Sequence, residues 1–302
     1  MPRVLTLTVD GQLTGSRLEQ VERLLETAQR KDGFAALNEA ASLRLRHPGL
    51  AVLHLCAVES DQVVGYAQLD PGPAASTGFL VVDPGHRQQG IGVRLAQVLA
   101  ERATNPLKLW APHDTAAAQA LAARLGLVAA RTLLVMTRRL DTELPEPQLP
   151  AGTTIRTFRP GQDEQAWLAV NTEAFAGHPE QGSMTDADLA ARMAEPWFDP
   201  AGFFVALRGE AMVGFHWTKQ HKDHLGEVYV LGVSPAASGA GLGTALLLIG
   251  LSHLRRQGDT VVELYVEADH SDAVGLYQDY GFTTASRDVM YAQRPIRARQ
   301  EN

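Results

Sequence analysis

The sequence predicts an α/β chain made of two tandem copies of one mixed-sheet domain. Three observations predict it. FLVVDPGHRQQGIG (79–92) reads as strand, proline turn, glycine-rich turn and helix start, and YVLGVSPAASGAGLG (229–243) repeats that plan, Val82 answering to Val233 at an offset of 151. WAPHDTAAAQALAARLGL (110–127) is answered by YVEADHSDAVGLYQDYGF (265–282), Trp110 by Tyr265 at an offset of 155, so a short insertion separates the two motifs of the second half. Between the halves lies DTELPEPQLPAG (141–152), where Pro145, Pro147 and Pro150 fix φ and remove donors, as in an extended linker. A repeat of this length is too long for a solenoid unit and implies duplication of a whole domain. The expected division is 1–140, a linker at 141–152, and 153–302.

The elements follow in order. VLHLCAV (52–58) is an apolar strand holding Cys56, which reads as a core residue. FLVV (79–82) is a strand and VRLAQVLAER (93–102) a helix. In the second half TTIRTF (153–158) is a strand and QDEQAWLAVNTEAF (162–175) a helix by its apolar spacing. TDADLAARMAE (185–195) is a helix with Thr185 as N-cap. FFVALRG, MVGFHWTKQH and EVYVLGV are strands separated by G-E and H-L-G turns. A helix (241–257), a strand (260–267), a helix (270–280) and a last strand complete the half. Antiparallel strands leading into βαβ crossovers give a mixed sheet with helices on both faces. Trp110, Trp197 and Trp217 are expected in cores or lining a pocket.

Composition narrows the function. The 302 residues are 45% hydrophobic and 20% charged, ample for packed cores, and the net charge of −7 argues against a nucleic-acid partner. One cysteine allows no internal disulfide and fits a reducing, cytoplasmic setting. The N-terminus MPRVLTLTVDGQ lacks a signal-peptide core. LGTALLLIGL (242–251) is shorter than the roughly 20 residues of a membrane span. Neither nucleic acid nor membrane is expected as a partner, and the chain is expected to be a monomer.

The glycine turn carries the first chemistry. A helix opening directly after a strand presents unpaired N–H groups and a positive dipole end, and Gly90 and Gly92 let a ligand reach them. The product suits a diphosphate, although the same glycines could serve chain reversal alone. A nucleoside-triphosphate loop is absent, and the dinucleotide fingerprint fails because Gly90-Ile-Gly92 runs on as Val93, Arg94, Leu95. What fits is R/Q-x-x-G-x-G/A after a strand ending V-x-P, met fully by Arg87-Gln-Gln-Gly90-Ile-Gly92, with L-Y-x-x-x-G-F (276–282) downstream. These motifs resemble the coenzyme A pyrophosphate loop and the next motif of the GNAT superfamily of N-acetyltransferases. The resemblance implies two tandem GNAT-like acyl-CoA N-acyltransferase domains using acetyl-CoA, without a metal.

The copies differ where chemistry needs side chains. In that superfamily the tyrosine of L-Y-x-x-x-G-F protonates the departing thiolate; here it is Tyr277, answered in the first half by Ala122. Glu227, a candidate base opening EVYVLGV, is answered by Ser76. Conversely, the second loop carries Ser238 where arginine or glutamine is expected. Tyr277 could instead pack its ring between helix and sheet, and Glu227 could be a solvated carboxylate at a strand start. The expectation is a catalytic second domain and a first domain that binds acetyl-CoA without turnover.

FAGHPEQG (175–182), WFDP (197–200), GFHWTK (214–219) and GEVYVLGV (226–233) are similar to the tandem-domain mycothiol synthase family, whose members acetylate the cysteinyl amine of Cys-GlcN-Ins. The resemblance implies Glu227 as general base and Tyr277 as general acid. It puts acceptor contacts on Glu39, Glu180, Lys219, Glu227 and Tyr265, although Glu180 and Lys219 also read as a solvated surface pair. First-half acetyl-CoA contacts are implied at Leu80, Val81 and Val82 and at Gln88, Gln89, Gly90, Ile91, Gly92 and Val93. In the second half they fall on Leu231, Gly232 and Val233 and on Ser238, Gly239, Ala240, Gly241, Leu242, Gly243 and Thr244. The last group is His270, Ser271, Asp272, Ala273, Val274 and Gly275; His270 stands where the family has asparagine, and Gly275 where arginine is common. HWTKQHKDH (216–224) holds three histidines, but His216 and His221 stand at odd spacing on a strand and face opposite ways, so no metal is expected. An acetyltransferase for another amino sugar or aminoglycoside, and a non-catalytic acetyl-CoA-binding regulator, are the alternatives.

Overall fold

The computed structural model describes residues 5–46, 52–72, 74–178 and 181–293. They form two compact units, Met1–Leu133 with Ser286–Asn302 and Leu134–Ala285.

The first unit contains β1 (Leu5–Asp10), α1 (Gly15–Asp32), α2 (Glu39–Arg46), β2 (Leu53–Glu59), β3 (Gln62–Asp70), β4 (Ser76–Val82), α3 (Ile91–Arg102), β5 (Leu107–Ala111), α4 (Ala116–Arg124) and the start of β6 (Leu127–Arg139). β1 to β4 are sequentially antiparallel and β4 runs parallel to β5. The free edge of β5 is covered from the far end of the sequence: Val289–Ala292 lies antiparallel to Lys108–Ala111. A division at the proline-rich segment assigns that strand to the second domain, whereas its contacts from Ser286 onward are with the first unit. Tyr291 fixes it there, its hydroxyl donating to Asp114 Oδ1 at 2.6 Å.

The second unit repeats the order: β7 (Thr153–Thr157), α5 (Glu164–Ala174), α6 (Asp186–Met193), β8 (Phe203–Arg208), β9 (Ala211–Gln220), β10 (Leu225–Val233), α7 (Leu242–Arg256), β11 (Val261–Glu267) and α8 (Ser271–Asp279), with β12 (Thr283–Gln293) leaving it. Its sheet order is β7-β8-β9-β10-β11-β6. α6 opens as expected at Thr185, which forms a reciprocal capping box with Asp188.

Alternation along β8 divides the core. Phe203 and Val205 pack with Trp167 of α5, Phe215 and Trp217; Phe204 and Ala206 pack with Leu242 and Leu246 of α7. On β9, Met212 falls on the α5 side and Val213 on the α7 side; past the register shift this order reverses, so from Gly214 onward residues of odd number face α5 and those of even number face α7. His216 is of the second kind, fully buried, with Nδ1 donating to Leu246 O at 2.7 Å; burial pushes its pKa down to about 4. Gly250 exists to admit that ring, because a Cβ there would lie 2.1 Å from His216 Cε1. Gly250→Ala forces the imidazole off its carbonyl partner. Overpacking of about 1–3 kcal/mol then outweighs the roughly 1 kcal/mol a helix gains from alanine, and a lowered denaturant midpoint is the expected reading.

Candidate active site

The two glycine turns adopt one backbone. Gly90 and Gly241 are the N-caps of α3 and α7, with left-handed φ of 81° and 83°. Two residues earlier, Gln88 (φ 61°) and Gly239 (φ 79°) again share the left-handed region. The second loop thus places glycine where the first holds glutamine under strain, so its shorter side chains relax the same conformation. Arg87, the residue that completed the motif, is turned to scaffolding: it forms a two-pronged ion pair with Asp32 at 2.7–2.8 Å, and its Nε donates to Val82 O. Gly92 and Gly243 bring their helices close to Val82 and Val233 without crowding.

Above the first loop lies a cavity of about 720 Å³, lined by Leu80, Val81, Val82, Gln88, Gly90, Ile91, Gly92 and Val93 among others. Of the first-half residues expected to touch cofactor, Gln89 alone is not on that wall. Ala122 and Tyr291 line it as well. Ser76, the expected counterpart of Glu227, is fully buried, its hydroxyl accepting from Asn105 N–H at 3.4 Å. A one-residue bulge in the second copy moves the match to Thr77, which pairs with Asp70 and Lys108 as Glu227 pairs with Lys219 and Glu263.

In the second unit the parallel pair β10 and β11 is joined only from Leu225–Val228 to Val261–Leu264; beyond that both strands run on without pairing each other. Register against β9 slips between Val228 and Val230, a bulge at Tyr229 that puts Tyr229 and Val230 on the same side, among the α5-facing residues. After the bulge Gly232 abuts Phe175 and Phe215 while Leu231 and Val233 face α7. The result is a cleft between the ends of two parallel strands, open at Leu231, Gly232 and Val233. The loop Ser238–Gly241 is exposed at its mouth, followed by Leu242, Gly243 and Thr244 in the first turn of α7.

Glu227 stands just before the cleft and is 8% exposed. Its register neighbours are Lys219 on β9 and Glu263 on β11, so all three share the α5 side of the sheet. Lys219 Nζ sits over the rings of Trp197 at 4.4 Å and Tyr229 at 5.1 Å. Tyr265, two residues beyond Glu263, is 48% exposed on the same side. Tyr277 lies on the opposite side, within the core under α7 and α8, edge-on to Phe282 with ring centroids 5.7 Å apart. Burial pushes its pKa up to about 12. Among the described residues nothing hydrogen-bonds its hydroxyl.

His270 is the N-cap of α8 without a side-chain cap bond, and Ser271, Asp272, Ala273, Val274 and Gly275 form the first turn and a half. Nothing lies within 4 Å of a Cβ built at Gly275, so a larger side chain has room there. Glu39 opens α2 in the first unit, half-buried. Glu180 lies outside the described residues.

Sequence reasoning missed His221. Its Nε2 is 2.6 Å from Glu227 Oε2 and 3.9 Å from Glu263 Oε1. Three potential metal-ligating atoms therefore gather within 4.8 Å. Two ligands of a tetrahedral zinc, each about 2.0–2.1 Å from it, would stand about 3.3 Å apart; at 2.6 Å the His221–Glu227 contact is too close for that and is a short hydrogen bond. His221 and Glu227 are six residues apart across a hairpin, a signal available only once that hairpin's register is known.

A split parallel pair, a glycine-capped helix at its mouth and a phenol beneath it, carried on a strand order repeated twice, define an acyl-CoA-dependent N-acetyltransferase. The Acetyltransferase (GNAT) family matches residues 18–127 and 165–282. A tandem GNAT protein from the clavulanic acid biosynthesis pathway superposes with a TM-score of 0.74 at 19% identity over 97% of this chain and all of that one. A GCN5-related N-acetyltransferase from Sphaerobacter thermophilus gives 0.69 at 24% identity, with 96% of each chain covered. Among relatives named mycothiol acetyltransferase, that of Thermomonospora curvata is 52% identical over 95% of this chain and 96% of its own. That of Streptomyces coelicolor is 50% identical over 93% of each. The chain belongs to the mycothiol acetyltransferase family, a tandem-domain branch of the GNAT acetyltransferases.

Proposed function

We propose that the second unit transfers acetyl from acetyl-CoA to the cysteinyl amine of Cys-GlcN-Ins, giving mycothiol by direct attack. The observation that supports this most is the cleft between β10 and β11, with a carboxylate on one side of the sheet and a neutral phenol on the other. A thioester held in that cleft is open to both faces. The pyrophosphate rests on N–H groups at the start of α7, where the dipole favours anions. Backbone N–H groups of Leu231 to Val233 polarise the thioester carbonyl. The acceptor amine, with a pKa near 8, needs modest help to free its lone pair, and Glu227 takes its proton, directly or through a water. Nitrogen bonds to the acetyl carbon, the carbon–sulfur bond breaks, and the leaving sulfur takes a proton from Tyr277. Lys219 and Tyr265 contact the hydroxyl-rich acceptor. The first unit binds acetyl-CoA in its 720 Å³ cavity without turning it over, since Ala122 and Thr77, at the places of Tyr277 and Glu227, offer neither an acidic proton nor a base.

The acceptor carries a thiol, so turnover is followed by the mass of the acetylated product and not by thiol reagents. Steady-state kinetics on Cys-GlcN-Ins, glucosamine and a lysine peptide should give a kcat/KM at least about 10²-fold higher for the first. A site built around buried polar groups rejects analogues that leave those groups unpaired. Comparable values on all three would defeat the assignment, and a preference for glucosamine would turn it to a simpler amino sugar.

A further inference from the structure

A buried carboxylate that must take a proton needs to be held with one oxygen free and to stay a strong enough base. Glu227 alone secures neither. His221 follows β9 in the tight turn 221–224, pinned by its own N–H donating to Leu225 O at 2.8 Å, with Asp223 and His224 in left-handed backbone. From there its imidazole reaches Glu227 Oε2 at 2.6 Å. The Glu227 side chain is 10% exposed and that of His221 33%, so the imidazole exchanges protons with solvent while the carboxylate stays covered.

We propose that His221 positions and gates the general base: the neutral imidazole donates Nε2–H to Oε2, leaving Oε1 to take the amine proton, and the imidazolium locks Glu227 as an ion pair too weakly basic to do so. The inference rests on the acetyl-transfer reading above. Every charged group facing the ring bears on the gate. Glu227 on β10 and Glu263 on β11 favour the imidazolium, and Lys219 on β9 opposes it. Lys222, Asp223 and His224 lie in the exposed turn itself. The balance holds the His221 pKa above its usual value, chiefly through the hydrogen bond to Glu227. Activity is therefore lost as pH falls through that raised value and recovered above it.

The test is the pH profile of kcat with saturating acetyl-CoA and Cys-GlcN-Ins. The wild type should show an acid limb above the ordinary histidine range. His221→Gln, whose amide can still donate to Oε2 but cannot titrate, should keep kcat within a few-fold at pH 8 and lose that limb. His221→Ala should lower kcat at pH 8 by about tenfold or more. Glu263→Gln should move the wild-type limb to lower pH by removing a charge that favours the imidazolium. A limb that persists in His221→Gln, or an Ala variant matching wild type, overturns the proposal. NMR titration of the His221 ring gives an answer independent of turnover and of whether a variant is active. Glu227→Gln should lower the His221 pKa, and an unchanged value overturns the pairing. A wild type inactive on Cys-GlcN-Ins but with the coupled titration intact would instead defeat the acceptor assignment.

Discussion

Glu227→Gln lowers kcat for Cys-GlcN-Ins by about 10²- to 10⁴-fold, the range general-base catalysis contributes, equal to roughly 3–5 kcal/mol on the barrier. The amide keeps the size and shape of the carboxylate in a position that is 8% exposed, so packing survives and the loss is chemical. KM for acetyl-CoA should stay near wild type, because the loop at Ser238–Thr244 and the cleft edge at Leu231–Val233 do not depend on the charge. The residual rate should rise at high pH, where the amine frees its own lone pair without help. Steady-state kinetics at pH 7 and pH 9 give both readings. A kcat at pH 7 within threefold of wild type would remove Glu227 from the reaction, and a large rise in KM for acetyl-CoA alone would move it to cofactor binding.

Much of this was legible in the sequence because the two halves annotate each other. The offset of 151 aligns Gly90 with Gly241, and the structure gives that pair one left-handed conformation. It also aligns Ser76 with Glu227, but the bulge at Tyr229 shifts the strand by one residue upstream of it, so Thr77, opposite Asp70 and Lys108, takes the place that Glu227 holds opposite Lys219 and Glu263. The offset of 155 puts Tyr277 and Ala122 each at the seventh residue of its helix. Period-two patterning gave the strands of the second half within a residue or two, because β8, β9 and β10 each have one face toward α5 and one toward α7, and β11 has one face buried and one more open. What stayed hidden depends on pairing between distant segments. The strand from Ser286 onward carries an ordinary strand pattern that says nothing of which sheet it joins; the open edge of β5 decides that. The bulge at Tyr229 leaves no glycine or proline as a mark. His221 reads as one of three histidines in a strand segment, on the face opposite His216, until the 221–224 turn folds it back over Glu227. Lys219 reads as half of a surface ion pair until Trp197 and Tyr229 are seen beneath its ammonium.

Tyr277→Phe lowers kcat by about 10²-fold or more while leaving stability within roughly 0.5 kcal/mol. The two halves of that expectation have separate causes. The ring packs against Phe282 and the apolar residues under α7 and α8, and phenylalanine keeps every one of those contacts. The deleted hydroxyl has no hydrogen-bond partner among the described residues, so its removal leaves nothing unsatisfied. The rate falls because no other proton reaches the departing sulfur from that side. A phenol pushed up to about 12 is a weak acid against a thiol near 8.5 in water, but the thiolate forms in the same dry surroundings, which raise its proton affinity too. Donation therefore accompanies carbon–sulfur cleavage and does not precede it. One consequence separates this phenol from an ordinary surface tyrosine: the wild-type kcat profile should show no alkaline limb below about pH 10, since the donor stays protonated there. A limb near pH 8–9 that vanishes in Tyr277→Phe would mean a phenol far more acidic than its burial dictates, and an unchanged kcat in that variant would leave the sulfur to be protonated by solvent.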